Sequence, residues 1–431
     1  MGRVSVWRGW NLGPVIAFCT GLLSWGGQGY FFILPMFAVA YGLASTKKWR
    51  SITVLTYYIG ALWPLYGTFD DFWPPHAPWI GLLGWLTSAL LIASPWVAIV
   101  IPGKDNPSRT AWRWMLSVFI SAIPPFGAWS PASPLIAAGD WFPGTGVPGL
   151  LAMLVSTGLI VGLVARRLSV IHTQDAIATP DNSRRYLENI ALVRYAAPLF
   201  LLASVVLNIF ASSPVTPHDW VSLNTQFGAL RGKVPYPVWF HRQVAVIRIA
   251  TQAVLTLPPH RTILLPEGIA GFQFHNALGD ALYHRLSVIA GLRDDTVLVG
   301  AYPFNGRGYT DSLMLYGKHR GLVTGKQPIP LGEWRPWTEN GAKAFWWRFG
   351  PQRIGATPVA IAICYEQMLV WPLAWDFMGT SVKPSLILAP ANHEWATNNL
   401  DADMQNDAVQ TWGRLYGTPY LIANDSTERP R

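Results

Sequence analysis

Three short stretches carry side chains able to do covalent chemistry. "PVAIAICYEQMLVWP", residues 358–372, holds Cys364, with Glu366 two residues later. "LLPEG" holds Glu267, and "LVTGKQPIPLGEW" holds Lys326 and Glu333. A thiol attacks an acyl carbon once a neighbouring group takes its proton, so Cys364 is either a nucleophile or a small apolar filler. Singly, each residue also has a plainer reading. Glu267 would cap a turn, Lys326 would be a solvated surface lysine, and Glu333 would pair with Arg335 or another base. Alternation along 359–364 predicts Val359, Ile361 and Ile363 on one strand face and Ala360, Ala362 and Cys364 on the other.

The elements that must position these groups begin near Trp220. "WVSLN", "RTILLPE", "TVLVGAYPF", "DSLMLYG", "PVAIAICYE", "PSLILAPAN" and "PYLIAND" read as strands. "HRQVAVIRIATQAVLTL", "NALGDALYHRLSVIAGL" and "MQNDAVQTWGRLYG" read as helices. This alternation predicts an α/β domain over residues 214–431, with helices covering sheets and polar groups gathered at strand ends.

The preceding residues are different. The 431-residue chain is 51% hydrophobic and only 13% charged, with 23 tryptophans, and its mean hydropathy is +0.25. Such values indicate a membrane protein rich in interfacial aromatics. Residues 1–213 are expected to form a multi-span α-helical membrane domain of about seven transmembrane helices. The candidate spans are 11–26, 29–45, 51–68, 79–101, 114–128, 146–165 and 191–212. The stretch 114–145, rich in proline, is expected to be broken or re-entrant and packed inside the bundle. All thirteen Lys/Arg of this half fall at the N-terminus or in alternate loops, while the other loops hold Asp70, Asp71 and Asp140. The N-terminus is therefore expected in the cytoplasm, and the α/β domain in the periplasm of a bacterial inner membrane. No cleavable signal peptide is evident.

Several function classes are set aside. The net charge is +9, of which +6 belongs to residues 1–213 (thirteen bases, seven acids). No basic stripe with interleaved aromatics remains, so nucleic acid is not expected as a partner. His241, His275, His284 and His393 lack metal-ligand spacing and are expected at the surface or in loops; no metal and no cofactor are assigned. "GTGVPG" at 144–149 borders a candidate span and is no phosphate loop. Cys19 lies in an apolar run far from Cys364, which argues against a disulfide.

Taken together, the order of Glu267, the "K…P-x-G-E" pattern and "CYE" resembles the nitrilase (carbon–nitrogen hydrolase) superfamily. With the membrane half it resembles the apolipoprotein N-acyltransferase-like branch, and over the whole chain the conjugal-transfer proteins of that architecture. The resemblance implies an αββα sandwich with a Glu–Lys–Cys triad. Glu267 would be the general base, Lys326 the oxyanion stabiliser and Cys364 the nucleophile. Glu333 would orient the lysine or assist proton transfer, and Tyr365 and Glu366 would shape the pocket. The residue types fit that chemistry. A thiol is mostly protonated at neutral pH and needs a carboxylate, and a fixed ammonium stabilises the oxyanion.

The family's lysine loop reads "K-x-H-L-V-P-F-G-E". Here it is "KQPIPLGE", one residue shorter, which leaves Lys318 in "YGKHRG" as a rival. "NHEW", residues 392–395, replaces the family's "N-D-x-W-F", and the strands and last membrane helix that follow in the acyltransferases are missing after "IANDSTERPR". "AKAFWWRFG", 342–350, is either a lid dipping into the bilayer or core packing.

Three functions follow as expectations. The first is acyl transfer from a membrane lipid to a lipoprotein or peptide amine, and the second is hydrolysis of an amide. The third is a non-catalytic membrane component of a conjugation apparatus that retains the fold.

Overall fold

A computed structural model of the chain describes residues 11–27, 29–72, 78–101, 106–173, 198–228, 234–273, 277–304, 306–393 and 400–426. The chain divides into two compact units between Ala211 and Ser212.

The first unit is helical. Its elements are α1 (Gly13–Ser24), α2 (Pro35–Leu43), α3 (Lys47–Ala61), α4 (Leu65–Phe72), α5 (Pro78–Val100), α6 (Pro107–Ala122), α7 (Ala138–Trp141) and α8 (Val147–Thr173). A further helix, α9, spans Pro198–Phe210. Starts are written locally: Thr46 accepts from Trp49 N–H to cap α3, Asn106 accepts from Arg109 N–H to cap α6, and proline opens α1, α2 and α6. Phe37 stacks on Tyr57 at 3.9 Å and meets Trp114 edge-on, which ties α2, α3 and α6 together. Between α6 and α8 the chain runs through short 3₁₀ turns and α7, largely buried, as expected of the proline-rich stretch.

Among the described residues, two helical segments, Trp79–Val100 and Val147–Leu168, are long and apolar enough to cross a membrane; α1, Phe31–Leu43 and α9 are apolar but shorter. The candidate span 51–68 is split between α3 and α4. The part of span 191–212 before Pro198 lies outside the described residues. Arg50 and Arg113, read as loop charges, sit buried within α3 and α6.

The second unit is built on two sheets. Its strands are β1 (Trp220–Ser222), β2 (Thr262–Leu264), β3 (Phe272–Gln273), β4 (Thr296–Pro303), β5 (Ser312–Gly317), β6 (Gly321–Thr324), β7 (Gln352–Ile354), β8 (Thr357–Ile361), β9 (Leu386–Asn392) and β10 (Tyr420–Asp425). Its helices are α10 (Tyr236–Thr256), α11 (Ala277–Leu292), α12 (Trp371–Asp376) and α13 (Leu400–Tyr416). One sheet runs β1-β2-β4-β5-β6, with β3 on the end of β4; the other runs β10-β9-β8-β7.

Inward-facing Leu264, Leu298, Leu313 and Val323 of the first sheet form one buried cluster with Val359, Ile361, Leu388 and Leu421 of the second. The alternate residues Ile263, Leu265, Val297 and Val299 turn outward onto Val246, Ala250 and Leu286 of α10 and α11. Strands buried on both faces explain why these runs are continuously apolar. α12 contacts β8, and α13 contacts β10, so the layers are helix, sheet, sheet, helix.

The topology brings certain chain ends to one edge. β1, β2 and β4 are parallel, β5 is antiparallel to β4, and β6 is antiparallel to β5. The C-terminal ends of β2, β4 and β6 and the N-terminal end of β5 therefore lie together, with Ala301 beside Ser312 and Ser312 beside Thr324. One position on β4 makes this edge possible. A Cβ on Gly300 would sit 2.0 Å from Pro266 O and 2.6 Å from Glu267 Cα. Gly300→Ala should push away the loop that carries Glu267 and cost about 1–3 kcal/mol, as overpacking does. Denaturant unfolding of the full chain, followed by tryptophan fluorescence, measures it.

Candidate active site

Each group of the candidate site sits just beyond a strand. Glu267 follows β2, Lys326 follows β6, Cys364 follows β8, and Asn392 ends β9. Cys364 opens a 3₁₀ turn, Cys364–Met368, and is itself left-handed, with φ +46°. That conformation is costly for a residue with a Cβ and holds only where the surroundings enforce it. The turn also overturns one expectation. β8 ends at Ile361, so alternation stops before the cysteine, and Cys364 packs with Val359, Ile361 and Ile363 in the inter-sheet cluster.

The Cys364 thiol lies close enough to the Glu267 carboxylate for each to shift the other's protonation. Glu267 Oε2 accepts the Asn392 N–H at 2.9 Å. Both side chains are almost completely buried. Burial, reinforced by the Glu333 carboxylate, pushes Glu267 up to about 8. Burial pushes the Cys364 thiol well up too, helped by the negative charges of Glu267 and Glu333. The resting sulfur is therefore a protonated thiol, and a thiolate arises only as Glu267 takes the proton. Oxygens of Glu267, Glu333 and Asp311 all lie within 4.8 Å of one another. Such spacing suits a shared proton or a bound cation.

Lys326 is fully buried, so it is not a surface lysine. Its Nζ lies 2.6 Å from Asp376 Oδ1, and Asp376 Oδ2 accepts the Ile361 N–H at 3.0 Å. The ammonium is thereby tied to the strand that leads into Cys364. Lys318, the rival, is half exposed and lies 3.7 Å from Asp294.

Glu366 joins the two loops. One carboxylate oxygen accepts from the Lys326 and Gln327 N–H groups, and the other accepts from Ile363 N–H at 2.9 Å. Burial raises its pKa, opposed by the Lys326 charge and these three N–H groups. Gln367 braces the turn by donating to Ala362 O and Pro390 O. Tyr365 is half-buried beside the nucleophile.

Within "AKAFWWRFG" the structure separates two roles. Trp346 Nε1 donates to Gln327 Oε1 at 2.7 Å, and the Trp346 ring packs on Trp334, whereas Trp347 is 69% exposed. His393 lies in the loop after β9, one of the two positions expected of it, but not at the surface. It is buried, 2.6 Å from Gln405 Oε1, and burial lowers its pKa. His241 and His284 are exposed; His275, and Glu394 and Trp395 of "NHEW", lie outside the described residues.

Sequence reasoning missed Asp311, Asp376 and Gln367. Asp311 heads a buried strand and Asp376 ends a short apolar helix; a lone acid in such a run was the available signal.

No family model matches the chain. It is 26% identical to "Conjugal transfer protein TraB" of Agrobacterium fabrum, in an alignment that covers 97% of this chain and 96% of that protein. It is also 26% identical to "Probable conjugal transfer protein TraB" of Sinorhizobium fredii, over 95% of this chain and 96% of that one. Among solved structures, a CN-hydrolase superfamily protein of Xanthomonas campestris with an arsenic adduct in its active site matches with TM-score 0.35 and 10% identity. That match covers 48% of this chain and 74% of the other.

Two outcomes test the electrostatics. Because Glu333 raises Glu267, Glu333→Gln should move the pH at which Cys364 gains reactivity downward from about 8; alkylation rate against pH reads the shift. Lys326→Met and Asp376→Leu should each cost about 3–5 kcal/mol by stranding a buried charge, and the double variant should recover most of it. Chemical denaturation of the four proteins measures this.

Proposed function

We propose that this chain is a membrane-bound, cysteine-dependent acyl-transfer or amide-hydrolysing protein of conjugal plasmid transfer. The observation that carries the reading is Cys364, held left-handed just beyond a strand and buried beside an equally buried Glu267. Glu267 takes the thiol proton as sulfur attacks a carbonyl carbon, which gives an acyl-thioester after the leaving group departs. Lys326 supplies positive charge for the oxyanion. Glu333 sets the basicity of Glu267, and Glu366 holds the lysine loop to the nucleophile turn. The name shared by the two relatives supports the link to conjugation.

The membrane half would place the site against the outer face of a bacterial inner membrane, where lipid is the acyl donor and a lipoprotein or peptide amine the acceptor. Two long apolar helices support this, together with exposed Leu82, Leu83, Leu90 and Leu91 on one and Leu151 and Val155 on the other. Apolar surface of that kind suits lipid contact. The bases near the ends of the apolar segments, Arg50 and Arg113 apart, support a cytoplasmic N-terminus and a periplasmic α/β unit.

One observation favours a second reading, a non-catalytic component of the mating apparatus that retains the fold. Lys326 Nζ is engaged by Asp376, an acid outside the proposed triad.

The full-length protein, reconstituted with phospholipid labelled in the acyl chain, is expected to carry label on Cys364 as a hydroxylamine-labile thioester. Cys364→Ser should carry none, and Glu267→Ala should slow acylation by roughly 100-fold or more. Ammonia released from a small amide without lipid label would select hydrolysis. Equal reactivity of Cys364 towards an activated-ester probe with and without Glu267 would support the inert reading.

A further inference from the structure

The reading above leaves Asp311 without a part. It lies one residue before β5, 5% exposed, on the edge where the site assembles. A carboxyl oxygen of Asp311 lies within 4.8 Å of one of Glu267, and Glu267 Oε2 already accepts the Asn392 N–H. Among the described residues, no N–H or O–H reaches its Oδ1. Two ionised carboxylates offer only acceptors to each other, so contact between them requires that one hold a proton. Three such groups crowded within 4.8 Å beside a buried thiol cannot all be charged at low dielectric.

We propose that Asp311 is a positioning residue that keeps its own proton and donates it as a hydrogen bond to Glu267, so that Glu267 is the ionised member of the pair and faces the Cys364 thiol as an acceptor. The inference rests on the catalytic reading above and deepens it. In the acylation step the S–H proton moves to Glu267 as sulfur forms its bond to the carbonyl carbon and the C=O pair moves onto oxygen. That proton then passes to the leaving nitrogen or oxygen as its bond to carbon breaks. The Asp311 proton stays in place throughout, and its hydrogen bond stabilises Glu267 while it is ionised.

The groups around Asp311 fit this assignment. Glu267 from the loop after β2, Glu333 from the lysine loop and Glu366 from the nucleophile turn all face it. If ionised, Asp311 would add negative charge at the Cys364 thiol and at Tyr309. Burial and the three acids push Asp311 well above the ordinary carboxylate range.

The test is the pH dependence of Cys364 alkylation by iodoacetamide, measured on full-length protein by mass spectrometry; Cys19, the other cysteine, falls in a separate peptide. If Asp311 donates a proton, Asp311→Asn substitutes a weaker donor and Asp311→Ala removes it. The acid limb should then move up, by about half a unit in the first and about one unit in the second. The larger shift is a ten-fold loss of rate below the limb. A downward shift would mean that Asp311 is an ionised neighbour, and an unmoved limb that it is merely structural; either overturns the proposal. So would a rate that responds to Mg²⁺ or Zn²⁺ and is restored by EDTA, because a cation would then occupy the cluster. Asp311→Ser, which keeps an O–H donor, is read in place of any variant that fails to fold and should shift less than Asp311→Ala. Glu267→Gln separates the two levels. If it leaves the limb of the parent protein intact, the catalytic reading fails; if it abolishes the limb while the Asp311 variants leave it unmoved, only the role of Asp311 fails.

Discussion

The Glu366 carboxylate is the constraint on which the site depends. It binds two N–H groups that follow β6 in one sheet and one that precedes the nucleophile in the other. Without it the lysine loop and the nucleophile turn would be joined mainly by apolar packing, which sets distance but not register. A buried carboxylate with three backbone donors sets both. Gln367 and Asp376 extend the same device to Ala362 O, Pro390 O and Ile361 N–H. The left-handed backbone at Cys364 is held between these anchors.

Burial then decides the chemistry. A dry site raises the Glu267 carboxyl and the Cys364 thiol together, so the sulfur keeps its proton until Glu267 can accept it. Such a site resembles an acid–base pair awaiting substrate more than the exposed, low-pKa thiolate of a redox cysteine. The surrounding carboxylates tune the base from opposite sides. Glu333 adds repulsion, while Asp311 and Asn392 N–H offer hydrogen bonds. The cation is kept on the other flank of the turn, where Asp376 and Glu366 share Lys326.

Much of the α/β unit was legible because strand and helix periods differ, and all seven strands and three helices read from the pattern occur. The short β3, β6 and β7 and the six-residue α12 were not read, since two to six residues cannot establish a period. Cys364 was placed on the wrong face because alternation holds only while the strand continues, and β8 stops three residues earlier. His393 looked like a loop residue, but its neighbour across the fold, Gln405, lies on another element. Asp311 and Asp376 carry no local signature beyond being single acids in apolar surroundings.

What the sequence determined by itself was the inventory: which runs are apolar, where strands end, and that a thiol, an ammonium and several carboxylates follow those ends. These are local properties, encoded by periodicity and by residues adjacent in the chain. Tertiary structure alone decided the partners. Lys326 meets an aspartate fifty residues away, and Glu267 meets a backbone amide 125 residues away. Which buried charge faces which depends on strand order and register, and those are set by the packing of whole sheets rather than by any short stretch.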